Sequence, residues 1–313
     1  MTMDNSRSHG NLLPPNADHP TTAALGESAF VRRRGVLWFL LIAFGGAWLP
    51  WLVVYAAGGS MDNVLIQLAT AAFVPAIAAC VVRRWVTRQG FVNSGLGLDV
   101  RRYWPYLVTA VTIPWGVLLV AVGAAVVAGW SPSDADVSGS SWAYLAVGPL
   151  ICIASAPIFW GEEYGWTAYL RDRLVPGRPI TTTFLTGTIW GVWHWPLPWI
   201  GYFGGHVQVD AAVVAMLLWV PLSILLEFVI GWLWSQTGSV WPGAMLHAGC
   251  NLVASQGLYL VLGDSFGPDA TTLLLCVGLT PFVVAIVATG HTAGGREPAR
   301  VDGGNGRSDQ VDL

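Results

Sequence analysis

The sequence contains no lysine. All 15 of its basic residues are arginine, and charged residues make up only 11% of the chain, whereas hydrophobic residues make up 54%. An ordinary soluble domain is about 25% charged. The composition therefore excludes a soluble globular domain and indicates a protein that crosses a membrane several times. A formal net charge of -3 says little about partners by itself, and we do not expect nucleic acid to be one.

Cysteine is scarce as well. The chain has 4 cysteines, and each lies inside an apolar stretch, with no CxxC motif and no cysteine and histidine spacing typical of a metal ligand set. They are Cys80, Cys152, Cys250 and Cys276. This pattern excludes a disulfide framework and predicts small buried hydrophobic side chains.

Long apolar windows define the predicted fold. A spanning helix needs about 20 apolar residues, and such windows lie at about 36–58, 64–82, 104–129, 142–170, 182–202, 211–233, 240–262 and 269–290. They predict an all-α, polytopic membrane bundle of about eight transmembrane helices within one domain, 31–290. The segments 1–30 and 291–313 are rich in Gly, Asn, Asp, Ser and Pro, and we expect them to be disordered tails.

The arginines predict the orientation of this bundle. They precede the first helix, lie between the second and third helices, follow the fourth helix and recur in the C-terminal tail, whereas the connections WSPSDADVSGSS and GYFGGHVQVD contain none. Arginine is enriched in cytoplasmic connections. We therefore expect a multi-pass protein of the cell membrane with both termini in the cytoplasm, whose first helix is an uncleaved signal anchor.

A few strongly polar side chains fall inside the apolar windows. They are Glu162 and Glu163 on the fourth helix, His194 on the fifth, Glu227 on the sixth, and His247 with Asn251 on the seventh. An ionised side chain near the bilayer centre costs on the order of 3 kcal/mol, so such groups normally face a bundle interior or a wet cavity. At 1.5 Å per residue, Glu162, His194 and His247 fall at compatible depths. We expect them to share one layer.

Such a layer supports hydrolysis. A carboxylate in a low-dielectric cavity can act as a general base on water, and a neighbouring imidazole can align that water or protonate the leaving group. A second imidazole and an Asn amide offer donors for a developing oxyanion. Glu162, His194 and His247 could alternatively bind Zn²⁺ with water in the open position, although no HExxH motif is present. The residues alone leave both mechanisms open.

Other interpretations of these residues have to be weighed. A single buried His or Asn in a membrane bundle is often an interhelical hydrogen-bonding group, and Glu227 could pair with a neighbouring helix, stay protonated or line the cavity. The alternatives to an enzyme are an immunity-type binding partner and a carrier whose Glu163 and Glu227 relay protons. The polar residues concentrate in the second half of the chain, whereas carriers often have repeated halves. This asymmetry favours the enzyme.

Three motifs in this region resemble those of the CPBP family of intramembrane proteases, the CAAX protease and bacteriocin-processing family also called Abi. EEYGWTAYLRDRL is similar to the first motif, EExxxR. GTIWGVWHWPLP resembles the second, an aromatic residue followed by a His with three residues between them. SVWPGAMLHAGCN resembles the third, HxxxN. Their order and spacing agree over residues 162–251. The resembling residues are Glu162, Glu163, Trp190, His194, His247 and Asn251.

The resemblance implies an eight-helix core with a polar cavity that opens toward the cytoplasm, and proteolysis of a membrane-associated protein or peptide at the bilayer. It implies that Glu162 is the general base acting on water with His194, and that His247 and Asn251 form the oxyanion site. Metal dependence has been argued for the family beside a glutamate mechanism, so the resemblance is compatible with a metalloendopeptidase as well.

One position departs from the family pattern. The arginine of EExxxR is replaced by Thr167, four residues after Glu163, where an ion pair would normally form on one helix face. Glu163 must therefore be protonated or have another partner. Arg171 lies one turn further along the same face of a regular helix, and we expect it to be that partner.

Overall fold

The computed structural model of the protein describes residues 27–92, 94–130, 139–202, 207–262 and 266–289, without the side chains of 139–141. Within these ranges the chain forms helices and their connections, and no strand. The helices are α1 Ala29–Ala56, α2 Val64–Val86, α3 Val100–Val127, α4 Gly139–Gly165, α5 Pro179–Trp193, α6 Val209–Thr237, α7 Val240–Leu262 and α8 Pro268–Ala288.

The predicted all-α membrane bundle is confirmed. Among the described residues, 7 helices are long and apolar enough to cross a membrane, and they correspond to all the predicted windows but the fifth. Most observed ends lie within a few residues of the predicted ones. The first helix begins earlier, at Ala29, where the side chain of Ser28 caps it by accepting a bond from the backbone N–H of Val31. The predicted disordered tails, 1–30 and 291–313, lie outside the described residues except for 27–30.

The fifth helix is shorter than the predicted window 182–202. α5 has 15 residues and ends at Trp193, and a 3₁₀ turn follows at Leu197–Ile200. Pro196 and Pro198 lie in this stretch, and proline cannot donate the backbone bond that continues an α-helix. The segment nevertheless runs antiparallel to α6, because Gly187 of α5 lies against Ile224 and Gly191 lies against Val220.

Two glycine pairs bring the helices that carry the polar residues into close contact. Gly161 and Gly165 flank the two glutamates on α4, and a Cβ on either glycine would collide with the α2 segment around Ala72 and Pro75. Gly187 and Gly191 bring α5 into equally close contact with α6. Small residues spaced by four allow two membrane helices to approach at backbone distance. The sequence GEEYG thus fixes the position of the glutamates relative to α2.

Beyond Gly165, α4 continues as a π-helical turn, Trp166–Arg171, and ends at Leu174. Every residue of this π-helical turn is buried. Trp166 packs edge-on against Phe39 of α1 and Trp193 of α5. The buried turn and the aromatic side chains around Trp166 therefore fill the interior of the bundle on the C-terminal side of the glutamates.

Candidate active site

Glu162 lies between two residues of α5. Its Oε2 accepts a hydrogen bond from the indole N–H of Trp190 at 2.9 Å, and the same oxygen is 3.9 Å from Nε2 of His194. The second distance is too long for a direct hydrogen bond. A water molecule with bonds of about 2.8 Å to both atoms fits this separation.

The tautomer of His194 follows from its backbone contact. Nδ1 lies 2.8 Å from the carbonyl oxygen of Trp190, and a carbonyl oxygen only accepts, so Nδ1 is the donor. In the neutral ring, Nε2 is then an acceptor that faces Glu162. Stacking on the indole of Trp219, with ring centroids 4.8 Å apart and planes 11° apart, holds the ring in this orientation.

Glu163 does not line the cavity with Glu162; it lies behind His247. Its Oε1 is 2.9 Å from Nδ1 of His247, and its Oε2 accepts a bond of 2.7 Å from the hydroxyl of Thr167. The side chain is 1% exposed. Both carboxylate oxygens therefore have partners, and the contact to Nδ1 leaves Nε2 of His247 as the nitrogen available to the cavity.

Asn251 is tied to the same helix and to a connection outside it. Its amide nitrogen donates to the carbonyl oxygen of His247 at 3.2 Å, and its Oδ1 accepts from the hydroxyl of Tyr202 at 3.2 Å. The amide retains a second N–H for a ligand. Tyr202 could not be predicted from the sequence, because it follows the proline-rich stretch after α5 and no helical spacing relates it to Asn251.

These groups meet at one cavity of about 310 Å³. Glu162, His194, His247 and Asn251 all contribute to its wall, together with Trp190. The rest of the wall is mostly apolar, for example Ile158, Phe159, Leu222, Leu226 and Leu275. The predicted shared layer is therefore present, and it lies in an environment that strengthens electrostatic interactions.

The prediction that Arg171 is the partner of Glu163 is wrong. Arg171 donates to Oε1 of Glu227 at 3.0 Å and to the hydroxyl of Thr183 at 2.8 Å, and its guanidinium lies over Gly231. The expectation assumed a regular helix, whereas Trp166–Arg171 is a π-helical turn. The wider turn rotates Arg171 away from the face of Glu163 and toward α6.

The residues do not fit a metal centre. Across the described part of the chain, no group of three His, Cys, Asp or Glu side chains is arranged to hold a metal ion. Glu162, His194 and His247, the candidate Zn²⁺ ligands, are thus not placed as a metal-binding group, although Nε2 of His247 is available to the cavity. No reaction step is therefore assigned to a metal.

The predicted absence of a disulfide agrees with the four free cysteines.

Comparison with known proteins bears on the same region. Residues 139–253 match the family described as Rce1-like, type II CAAX prenyl endopeptidase Rce1-like. The match begins at the start of α4, ends two residues after Asn251, and thus spans the whole polar set of the cavity. No curated protein matches the chain.

Proposed function

We propose that this chain, whose residues 139–253 match the Rce1-like family, is a CPBP-type intramembrane peptidase that uses a glutamate-activated water. It hydrolyses a peptide bond in a membrane-associated protein or peptide. One observation carries the proposal: Glu162 of α4, His194 at the C-terminal end of α5, and His247 with Asn251 of α7 converge on the wall of a single cavity.

The nucleophile is a water held between Glu162 and His194. The water donates one proton to Oε2 of Glu162 and the other to Nε2 of His194, whose separation of 3.9 Å suits this arrangement. Glu162 takes the first proton as the water oxygen attacks the carbonyl carbon, and later gives that proton to the leaving amine. The indole of Trp190 keeps the carboxylate in position during both steps.

The oxyanion is stabilised from α7. His247, charged and paired with the carboxylate of Glu163, donates its Nε2–H to the developing oxyanion, and the free amide N–H of Asn251 adds a second bond. Glu163 is thus a positioning residue in this proposal, because it acts through His247. The hydroxyl of Thr167 compensates in part for the arginine of the family motif by donating to Glu163.

The carrier gains no support from the site. A proton relay through Glu163 and Glu227 requires both carboxylates to be free to exchange protons. Glu227 is instead fully buried and bonded to Arg171, and Glu163 is bonded through both of its oxygens.

The test is Glu162→Gln, which keeps the shape of the side chain and removes the base. Peptides with new N-termini are compared between cells that produce the wild-type chain and cells that produce the variant. Loss of a general base typically reduces the rate about 10²- to 10⁴-fold, so peptides that depend on the wild type should disappear with Glu162→Gln. Cleavage in ¹⁸O-labelled water should place the label in the new carboxyl group.

Asp210→Asn is the matched control, because Asp210 is exposed in the first turn of α6 and does not border the cavity. It should leave the set of cleaved peptides unchanged. If the chain with Glu162→Gln still produces the same peptides at the same rate, the proposed mechanism is wrong.

A further inference from the structure

The two ends of the helix bundle differ in charge. At one end, the connection after α2 meets the turn between α6 and α7, because the N–H of Val240 bonds the carbonyl oxygen of Gly95, and the end of α4 joins it through Arg173 and Gln89. We call this the arginine end. The start of α1 lies there as well, because Glu27 pairs with Arg173. The described arginines of this end are Arg32, Arg33, Arg34, Arg83, Arg84, Arg88, Arg101, Arg102, Arg171, Arg173 and Arg178.

The other end of the bundle carries no described arginine. Here the connection after α1 meets the 3₁₀ turn after α5, since the N–H of Met61 bonds the carbonyl oxygen of Ile200 at 2.7 Å. The starts of α6 and α8 lie at the same end, and their first turns contain Asp210 and Asp269. We call this the acidic end.

The cavity extends from Glu162, His194 and His247 toward the acidic end. Its wall uses only the first third of α2, from Val64 to Ala72, and the first turns of α8, from Thr271 to Leu275. On α7 the wall runs from His247 to Ala254, away from the arginine end.

The arginine end is closed. Past the glutamates, Thr167, Ala168, Tyr169 and Leu170 are all at most 1% exposed, and the Arg171–Glu227 ion pair follows. At the acidic end, by contrast, Val64 borders the cavity and is 60% exposed. Among the described residues, the cavity therefore reaches exposed positions toward the acidic end, and it does not continue through the π-helical turn.

We propose that the catalytic cavity is entered from the extracytoplasmic face, so that the substrates are extracytoplasmic or outer-leaflet segments of exported or membrane-anchored proteins. Arginine-rich connections stay in the cytoplasm, which places the acidic end outside. This is the opposite of the cytoplasmic opening that the family resemblance implies. The substrate class rests on the proposed peptidase function, whereas the side of entry does not.

The test is thiol labelling with a membrane-impermeant maleimide, applied to intact cells and to inverted membrane vesicles. Val64→Cys and Val92→Cys form a matched pair, since both valines are exposed, 60% and 81%, at the acidic and the arginine end respectively. Val64→Cys should be labelled in intact cells, and Val92→Cys only in inverted vesicles. These two variants and the two of the second pair carry Cys250→Ala as well, because Cys250 borders the cavity and would otherwise be labelled by the same route. The chain with Cys250→Ala alone sets the background.

A second pair tests the route into the cavity. Ala254 lines the cavity beyond Asn251, whereas Ala168 is buried on the arginine side of the glutamates. Ala254→Cys should be labelled from outside, and Ala168→Cys from neither side. Any other pattern in either pair, including an unlabelled Ala254→Cys, overturns the proposal.

Labelling needs no turnover, so an inactive chain would give the same pattern and a failed peptidase proposal remains distinguishable. Conversely, peptides that depend on Glu162 but come only from cytoplasmic segments would support the peptidase and contradict extracytoplasmic entry.

Discussion

Thr167 illustrates how one residue changes the partners of a buried carboxylate. An arginine at this position would offer Glu163 a full charge, whereas threonine offers a single hydroxyl bond of 2.7 Å. The remaining oxygen of Glu163 then bonds to His247. The departure from the family motif is therefore compatible with a paired glutamate and an oriented imidazole, and it gives no reason to regard the site as dismantled.

The ion pair between Arg171 and Glu227 is the clearest stability prediction at this scale. Both side chains are at most 3% exposed, and removing one partner of such a pair costs about 3–5 kcal/mol because a buried charge remains unpaired. Arg171→Met should therefore destabilise the protein strongly, as measured by thermal unfolding in detergent.

The double variant with Arg171→Met and Glu227→Leu is the control. Replacing both members by apolar residues of similar size is often nearly neutral, so much of the lost stability should return. Equal stability of the single and the double variant would contradict a direct ion pair between these residues.

The site residues could be predicted to different degrees from the sequence. Glu162, His194, His247 and Asn251 stood out because a polar group inside an apolar window is costly, and the structure brings them to one cavity. The partner of Arg171 could not be predicted. Assigning residues to one face by their spacing assumes a regular α-helix, whereas Trp166–Arg171 is π-helical. Side-chain bonds across irregular connections, such as that of Tyr202, leave no periodic signal.

At the scale of helices, the positions of the glutamates depend on α4 lying against α2 at backbone distance. Helix ends were predictable because apolar windows have to match the bilayer thickness. The early end of α5 was missed because the proline-rich continuation, WPLPWI, is as apolar as a helix would be. Its hydropathy fits a span, whereas its prolines do not fit a helix.

Gly161→Ala tests this close packing. An added Cβ would collide with the carbonyl oxygen of Ala72, which is backbone and cannot rotate away. Overpacking of this kind costs about 1–3 kcal/mol, and it would also move Glu162 and Glu163. We expect lower thermal stability in detergent and reduced cleavage.

Gly123→Ala is the matched control on α3, where an added Cβ would meet nothing within 4 Å. Alanine has the higher helix propensity, by about 1 kcal/mol, so this variant should be as stable as the wild type or slightly more stable. A Gly161→Ala variant that behaves like Gly123→Ala would show that the helices can separate without loss.

At the scale of the whole molecule, the bundle encloses a cavity that is closed at one end. The bundle could be predicted from composition, and the distribution of arginines predicts its orientation. The direction of the cavity could not, because it depends on which turns of each helix pack tightly. That information lies in buried contacts such as those of Trp166 and Leu170, and hydropathy alone does not contain it.

Ala254→Leu should obstruct the cavity without disturbing the bundle. Ala254 lines the wall near Asn251, so a larger side chain there occupies volume that the substrate needs. We expect the rate of cleavage to fall at least about tenfold, equivalent to ~1.4 kcal/mol. Thermal stability in detergent should change little, because the added atoms enter open space.

Ala154→Leu provides the comparison. Ala154 is exposed on the outer surface of α4, on the helix that carries the glutamates, and a leucine there should affect neither stability nor cleavage. Full activity of the Ala254→Leu variant would mean that the substrate does not use this part of the cavity.

The bonds that hold the polar layer together join segments that are far apart in the chain. Glu163 is bonded to His247, 84 residues later, and Glu227 is bonded to Arg171, 56 residues earlier. During synthesis, α4 therefore emerges from the ribosome with carboxylates whose partners have not yet been made. Placing an ionised group at mid-bilayer costs about 3 kcal/mol. We therefore expect α4 to stay in contact with protein or water until α7 has been synthesised. On this basis, we expect the bundle to enter the lipid as an assembled group of helices, and a chain truncated before α7 to stay with the insertion machinery or be degraded.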